Sequence, residues 1–128
     1  MTKYKSQGFN GTFRNARKGF NLAIRSEINI RIHVAIATLI VFLALYLKFS
    51  SVEFCLLLFV IALVIVAEML NTAIEFTLDS IYHNKYSRMV GMAKDISAGA
   101  VLFATFTSIL VGIILFGSKL LPIIVTNG

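Results

Sequence analysis

The sequence predicts an all-α integral membrane protein, with three transmembrane helices preceded by an amphipathic helix on the membrane surface. Three observations carry this reading. The 128 residues are 58% hydrophobic and only 14% charged, too little charge to cover a water-soluble domain of this size. No ionisable side chain occurs from Ile96 to Ser118, a run long enough to cross a bilayer as a helix, which takes about 20 residues. The basic residues alternate with the apolar runs: ten of the twelve precede the first span or lie in the second connection, and only Lys48 and Lys119 fall on the other side. That asymmetry places the N-terminus and the second connection in the cytoplasm, and makes the chain a multi-pass protein of a plasma membrane.

The length suits a single domain over residues 1–128. Residues 1–8 are polar. Phe9, Phe13, Ala16, Phe20 and Ile24 then follow one helix face, while Arg14, Arg17, Lys18, Asn21 and Arg25 share the opposite one. This is the pattern of an interfacial helix, spanning about 9–26, with rings at the lipid boundary and cations towards anionic headgroups. The spans fall at about 30–48, 53–81 and 94–118. A tight connection at 48–52 joins the first two, and a polar loop over 82–95 leads to the third. Pro122 discourages helix beyond it. Ala100, Ala104, Ser108 and Gly112 recur every fourth residue, a spacing that allows close helix–helix approach in lipid. The net charge of +6 raises nucleic acid as a partner, but the basic residues flank apolar spans and none is expected. Cys55 is the only cysteine, so no intrachain disulfide can form.

The chemistry is concentrated at the inner end of the second span. Glu68, Asn71, Glu75 and Asp79 are spaced 3, 4 and 4, one helical stripe about 80° wide. Carboxylates at the edge of hydrocarbon cost a few kcal/mol each on insertion scales. A solvated helix end emerging from the membrane accounts for Asp79 and can account for Glu75. It does not account for Glu68, which lies about 16 Å deeper along the axis. Something cationic must offset these charges: a metal ion, a basic side chain or a proton. A second polar cluster, Glu27, Asn29, Arg31 and His33, enters the first span. Glu27 and Arg31 can form an i,i+4 ion pair, or Glu27 can join Glu75 around a divalent metal. Two carboxylates with water and phosphate oxygens suit Mg2+, and the separated histidines with a lone cysteine make zinc a poor fit. Lys94 and Asp95 stand at the start of the third span, where a lysine can bind an anion beside free backbone N–H groups or simply snorkel to the interface. Phosphate chemistry at a membrane surface fits these groups, although no GxxxxGK[ST] loop or protein-kinase motif occurs. The acidic stripe by itself also fits a proton-coupled carrier or channel subunit.

The string Glu68-x-x-Asn71-x-Ala73-Ile74-Glu75-x-x-x-Asp79, followed by Ala93-Lys94-Asp95 and preceded by Glu27-x-Asn29-x-Arg31-Ile32-His33, resembles the bacterial diacylglycerol kinase/undecaprenol kinase family from about Phe13 to Ser118. The resemblance implies a homotrimer of three-span subunits with composite sites between neighbours. It also implies transfer of the ATP γ-phosphate to a lipid alcohol. Glu68 matches the family's general base, and Glu27 and Glu75 match the carboxylates that hold ATP-bound magnesium. Lys94 and Asp95 match residues at the nucleotide, and Lys85-Tyr86-Ser87-Arg88-Met89 aligns with the nucleotide-binding loop. Asn29, Arg31, His33 and Asn71 match polar positions near the lipid substrate and the reacting groups. This chain carries one more residue between Asp79 and that loop than the diacylglycerol kinase pattern. It has Asn15 where that branch has tyrosine, and Arg14 is only a weak match to an N-terminal arginine that contacts nucleotide. At His33 the diacylglycerol kinase branch has a carboxylate, whereas the Asn-x-Arg-Ile-His string resembles the Gram-positive undecaprenol kinase branch.

Overall fold

The computed structural model describes residues 8–83, 85 and 87–128. Four helices follow one another: α1 (Phe9–Ser26), α2 (Ile28–Tyr46), α3 (Ser51–Tyr82) and α4 (Arg88–Asn127). No strand occurs among the described residues. The last three helices are each long and apolar enough to cross a membrane.

α1 exposes both of its faces. Phe9, Phe13 and Phe20 are as open as Arg14, Arg17, Lys18 and Arg25, as an interfacial helix requires when lipid covers one side. The helix ends where Glu27 turns extended, at φ −120° and ψ 118°. Ala23 and Ile30 are buried on either side of this corner. The extended backbone takes Glu27 out of helical register, and the Arg31 Nη1 donates instead to the Arg25 carbonyl at 3.2 Å. The i,i+4 ion pair between Glu27 and Arg31 therefore does not form.

α2 and α3 are joined by a closely specified turn. The Lys48 N–H donates to the Leu45 carbonyl at 3.2 Å, and the Phe49 N–H donates to the Ala44 carbonyl at 3.1 Å. Lys48 is left-handed, with φ 56°. This pair of bonds is the Schellman ending, usually built on glycine. Phe49 then packs on a cluster of Ala44, Leu57 and Leu115, its ring 4.9 Å from that of Phe116. α3 opens with a reciprocal cap: the Ser50 Oγ accepts from the Glu53 N–H, and the Glu53 carboxylate accepts from the Ser50 N–H at 2.8 Å. Lys119 of α4 reaches the same carboxylate at 3.1 Å.

α3 is the central element, and α2 and α4 both pack against it. Its buried residues are Leu57, Val60, Val64, Glu68 and Thr72, a continuous stripe at helical spacing. On α4, Ala104 is buried, and the Ser108 Oγ donates to the Val60 carbonyl at 3.0 Å. The small-residue row is thus partly the α3–α4 seam, although Ala100 is exposed.

Two expected boundaries move. α4 begins at Arg88, so the loop expected over 82–95 contracts to the few residues after Tyr82. Residues 88–95 contain no helix breaker beyond Gly91, and Val90 is buried. At the other end α4 continues through Pro122 to Asn127. Proline removes one helical N–H, which leaves the remaining ladder intact on both sides.

Candidate active site

Glu68 sits where the apolar packing stripe of α3 would otherwise carry a hydrocarbon side chain. It is 7% exposed. About 20 residues cover the hydrocarbon thickness, which from Ser51 ends near Leu70. Glu68 is therefore at the edge of the apolar zone nearer the end of α3, and Glu75 and Asp79 lie beyond it. Because α2 runs antiparallel to α3, His33 near the start of α2 meets Glu68 in the second half of α3. The His33 Nε2 is 3.4 Å from the Glu68 Oε1. A group that can carry positive charge thus stands beside the buried carboxylate, one of the offsets its position demands.

The rest of the stripe turns towards α4. The Asn71 Oδ1 accepts from the Ser97 Oγ at 2.6 Å. The Asp79 Oδ1 accepts from the Lys94 Nζ at 2.6 Å. Glu75 lies within electrostatic reach of the same ammonium. It makes no hydrogen bond or ion pair of its own with the described residues, and neither does the Glu27 side chain. Among the described residues no group of three or more histidine, cysteine or carboxylate side chains is gathered as a metal site.

A hollow of about 300 Å³ opens where α3, the connection and α4 meet, lined by Asp79, Tyr82, Lys85, Gly91, Lys94 and Asp95 among others. It joins Lys85, Lys94 and Asp95 of the expected nucleotide set. Lys94 does not mark a helix start: it lies nearly two turns inside α4, so the free N-terminal N–H groups belong to the turn after Ser87. Arg88 and Met89 open that turn and are exposed, and Ser87 is its cap residue without a side-chain cap bond. Tyr86 lies outside the described residues. Arg31 and Asn29 are exposed on the first turn of α2, at the same end of the bundle. The sequence places Asp79 on the stripe but does not pair it with Lys94; Ser97 as the partner of Asn71, and Tyr82 and Gly91 in the hollow, have no signal in the spacing of residues.

The profile of the prokaryotic diacylglycerol kinase family matches residues 14–116. The chain belongs to that family. A diacylglycerol kinase of Synechocystis is 33% identical over 87% of this chain, which spans 61% of that relative's length. An undecaprenol kinase of Bacillus subtilis is 32% identical over 85% of this chain and 88% of its own. A diacylglycerol kinase of Escherichia coli is 33% identical over 79% of this chain and 82% of its own. Family members of both names are thus equally similar, and overall identity does not choose between the two lipids. The match begins at Arg14 and takes in both polar clusters.

Proposed function

We propose that this protein is an ATP- and Mg2+-dependent lipid kinase that phosphorylates undecaprenol at the cytoplasmic face of a bacterial plasma membrane. The observation that carries the reading is Glu68: a carboxylate buried in the packing stripe of a membrane helix, beside His33, in a chain of the prokaryotic diacylglycerol kinase family. Phosphoryl transfer asks a protein for positioning and charge neutralisation more than for covalent participation. Glu68 takes the proton of the lipid hydroxyl, the hydroxyl oxygen bonds to the γ-phosphorus of ATP, and the bond to the bridging oxygen breaks to release ADP. Glu75 stands two turns towards the helix end, about 10 Å along one face. That offset keeps phosphates at the aqueous level and the hydroxyl just below it.

The donor chemistry fits magnesium. Mg2+ takes hard oxygen ligands, and it is held by one or two carboxylates completed by water and phosphate oxygens. Glu27 and Glu75, whose side chains make no hydrogen bond or ion pair among the described residues, would hold it, and it would neutralise charge developing on the phosphates. Lys94, Lys85 and Asp95 border the hollow that suits the nucleotide, and Arg88, Met89, Ser87 and Tyr86 adjoin it in sequence. Arg31, Asn29 and Asn71 complete the polar rim. A homotrimer with sites shared between neighbours accords with a single chain in which the Glu27 and Glu75 side chains make no hydrogen bond or ion pair among the described residues.

Undecaprenol is favoured over diacylglycerol by His33 and the string around it. Purified protein offered both lipids with labelled ATP should transfer phosphate mainly to undecaprenol. Strong preference for diacylglycerol would overturn the substrate. Ion flux in sealed vesicles with no phosphorylated lipid would replace the kinase by a carrier.

A further inference from the structure

A groove of about 540 Å³ runs between α2 and α4, with α3 as its floor. We infer that this groove seats the part of a lipid alcohol's hydrocarbon chain nearest its hydroxyl, and that Gly112 sets how much of the chain it admits. The inference rests on the lipid-kinase reading and deepens it.

The two ends of the groove differ in chemistry. His33 lines one end, with its Nε2 3.4 Å from the Glu68 carboxylate. It is the one titratable side chain lining the groove among the described residues. The floor is Leu57, Val60 and Val64. The Ser108 hydroxyl, which also borders the space, is spent on the Val60 carbonyl, so it asks nothing of an occupant. The far end is closed by the cluster of Ala44, Leu57 and Leu115, with Phe116 packed against it. The Thr105 hydroxyl is the other polar group of the lining, on the α4 turn nearest the Glu68 end, so an occupant must be apolar beyond that turn and carry its hydrogen-bonding group at the His33 end. A lipid alcohol has that form. The apolar run of a span from a second copy, such as Ile96 to Ser118 with no ionisable side chain, would match the walls but not the polar end at His33 and Glu68.

The dimensions limit what enters. From His33 to Leu43 along α2 is ten residues, about 15 Å. Only the first part of a long polyprenol fits, and the rest must pass out between α2 and α4 into the bilayer. Gly112 borders the groove about 10 Å along α4 from Thr105, the lining residue of α4 nearest the Glu68 end. A Cβ placed at Gly112 meets nothing within 4 Å, so a larger side chain there would occupy the groove without colliding with the helices at its base.

The experiment compares Gly112→Leu and Gly112→Ala with the wild type on undecaprenol and on geraniol, a short prenol that ends before Gly112. A diazirine-bearing polyprenol is photocrosslinked to the wild-type protein, and labelled peptides are located by mass spectrometry. The ratio of kcat/KM for undecaprenol over geraniol should fall about tenfold or more in Gly112→Leu, the scale of a misfit in an apolar pocket, and less in Gly112→Ala. Crosslinks should fall on residues 33–43 and 105–116. An unchanged ratio overturns the inference. So does a Gly112→Leu protein that loses its oligomeric state while keeping the ratio, the result expected if a second copy fills the groove. Should the wild type phosphorylate neither alcohol, the lipid-kinase reading falls, and the crosslinks still decide whether a prenol occupies the groove.

Discussion

A carboxylate at the edge of a bilayer's hydrocarbon costs a few kcal/mol on insertion scales, so the partners of Glu68 determine what it can do. Its one ion-pair partner among the described residues is His33, and the other stripe members are arranged differently. Asp79 is committed to Lys94, which leaves it less available to take a proton from a substrate, and Asn71, an amide held by Ser97, has no basic oxygen to offer. Glu68→Gln keeps the shape and the polar contact but removes the basic oxygen. Turnover should fall about 100-fold to 10,000-fold, the usual contribution of a positioned general base, while binding of a fluorescent ATP analogue persists. Loss of nucleotide affinity in this variant would make Glu68 a nucleotide or metal ligand instead. The stripe itself was legible because a helix fixes the angle between residues on one element: spacings of 3 and 4 put Glu68, Asn71, Glu75 and Asp79 on one face wherever that helix sits. The pairs were not legible. His33–Glu68, Ser97–Asn71 and Lys94–Asp79 depend on the register between helices, which is set by how Val60, Val64 and Ala104 pack rather than by any local spacing.

At the scale of elements, the turn between α2 and α3 shows what determines the register. The Schellman bonds around Lys48, the cap formed by Ser50 and Glu53, and the Glu53–Lys119 pair act at one end of the bundle, so the end of α2, the start of α3 and the last turns of α4 are fixed together. The Ser50-x-x-Glu53 pattern is a readable helix-start signal, and it places the beginning of α3. The left-handed backbone at Lys48 is not readable, because lysine carries no preference for it. An L-residue in that conformation costs about 1–2 kcal/mol, whereas glycine adopts it freely and loses about 0.5–1 kcal/mol in backbone entropy. Lys48 is exposed, so little packing is lost on its removal. Lys48→Gly should therefore raise stability by a few tenths to about 1 kcal/mol, measured as helix loss during SDS titration of the detergent-solubilised protein. A drop in stability would show that the lysine side chain matters more than its backbone. The same distinction explains the early start of α4. Residues 88–95 look like loop by charge, yet polarity reports solvent exposure rather than backbone conformation, and a helix that leaves the membrane stays helical in water when nothing breaks it.

The whole molecule is polarised along the membrane normal. Arg14, Arg17, Lys18, Arg25, Arg31, Lys85, Arg88 and Lys94 gather at the end where α1, the start of α2 and the α3–α4 connection meet. Lys48 and Lys119 stand at the other end, and Lys119 is paired with Glu53. Basic residues close to the spans govern insertion, and on that ground we propose that the α1 end faces the cytoplasm. The same end carries Glu75, Asp79 and the hollow beside Lys94, so topology and chemistry make one joint claim: ATP reaches Glu68 only if that end faces the cytosol. In a Cys55→Ser background, a cysteine at Thr126 should react with a membrane-impermeant maleimide on intact cells, and a cysteine at Ser87 only after lysis. The opposite pattern would put the acidic stripe where no ATP is supplied. The lipid-kinase reading would then fail at the level of the whole molecule, however well its residues fit.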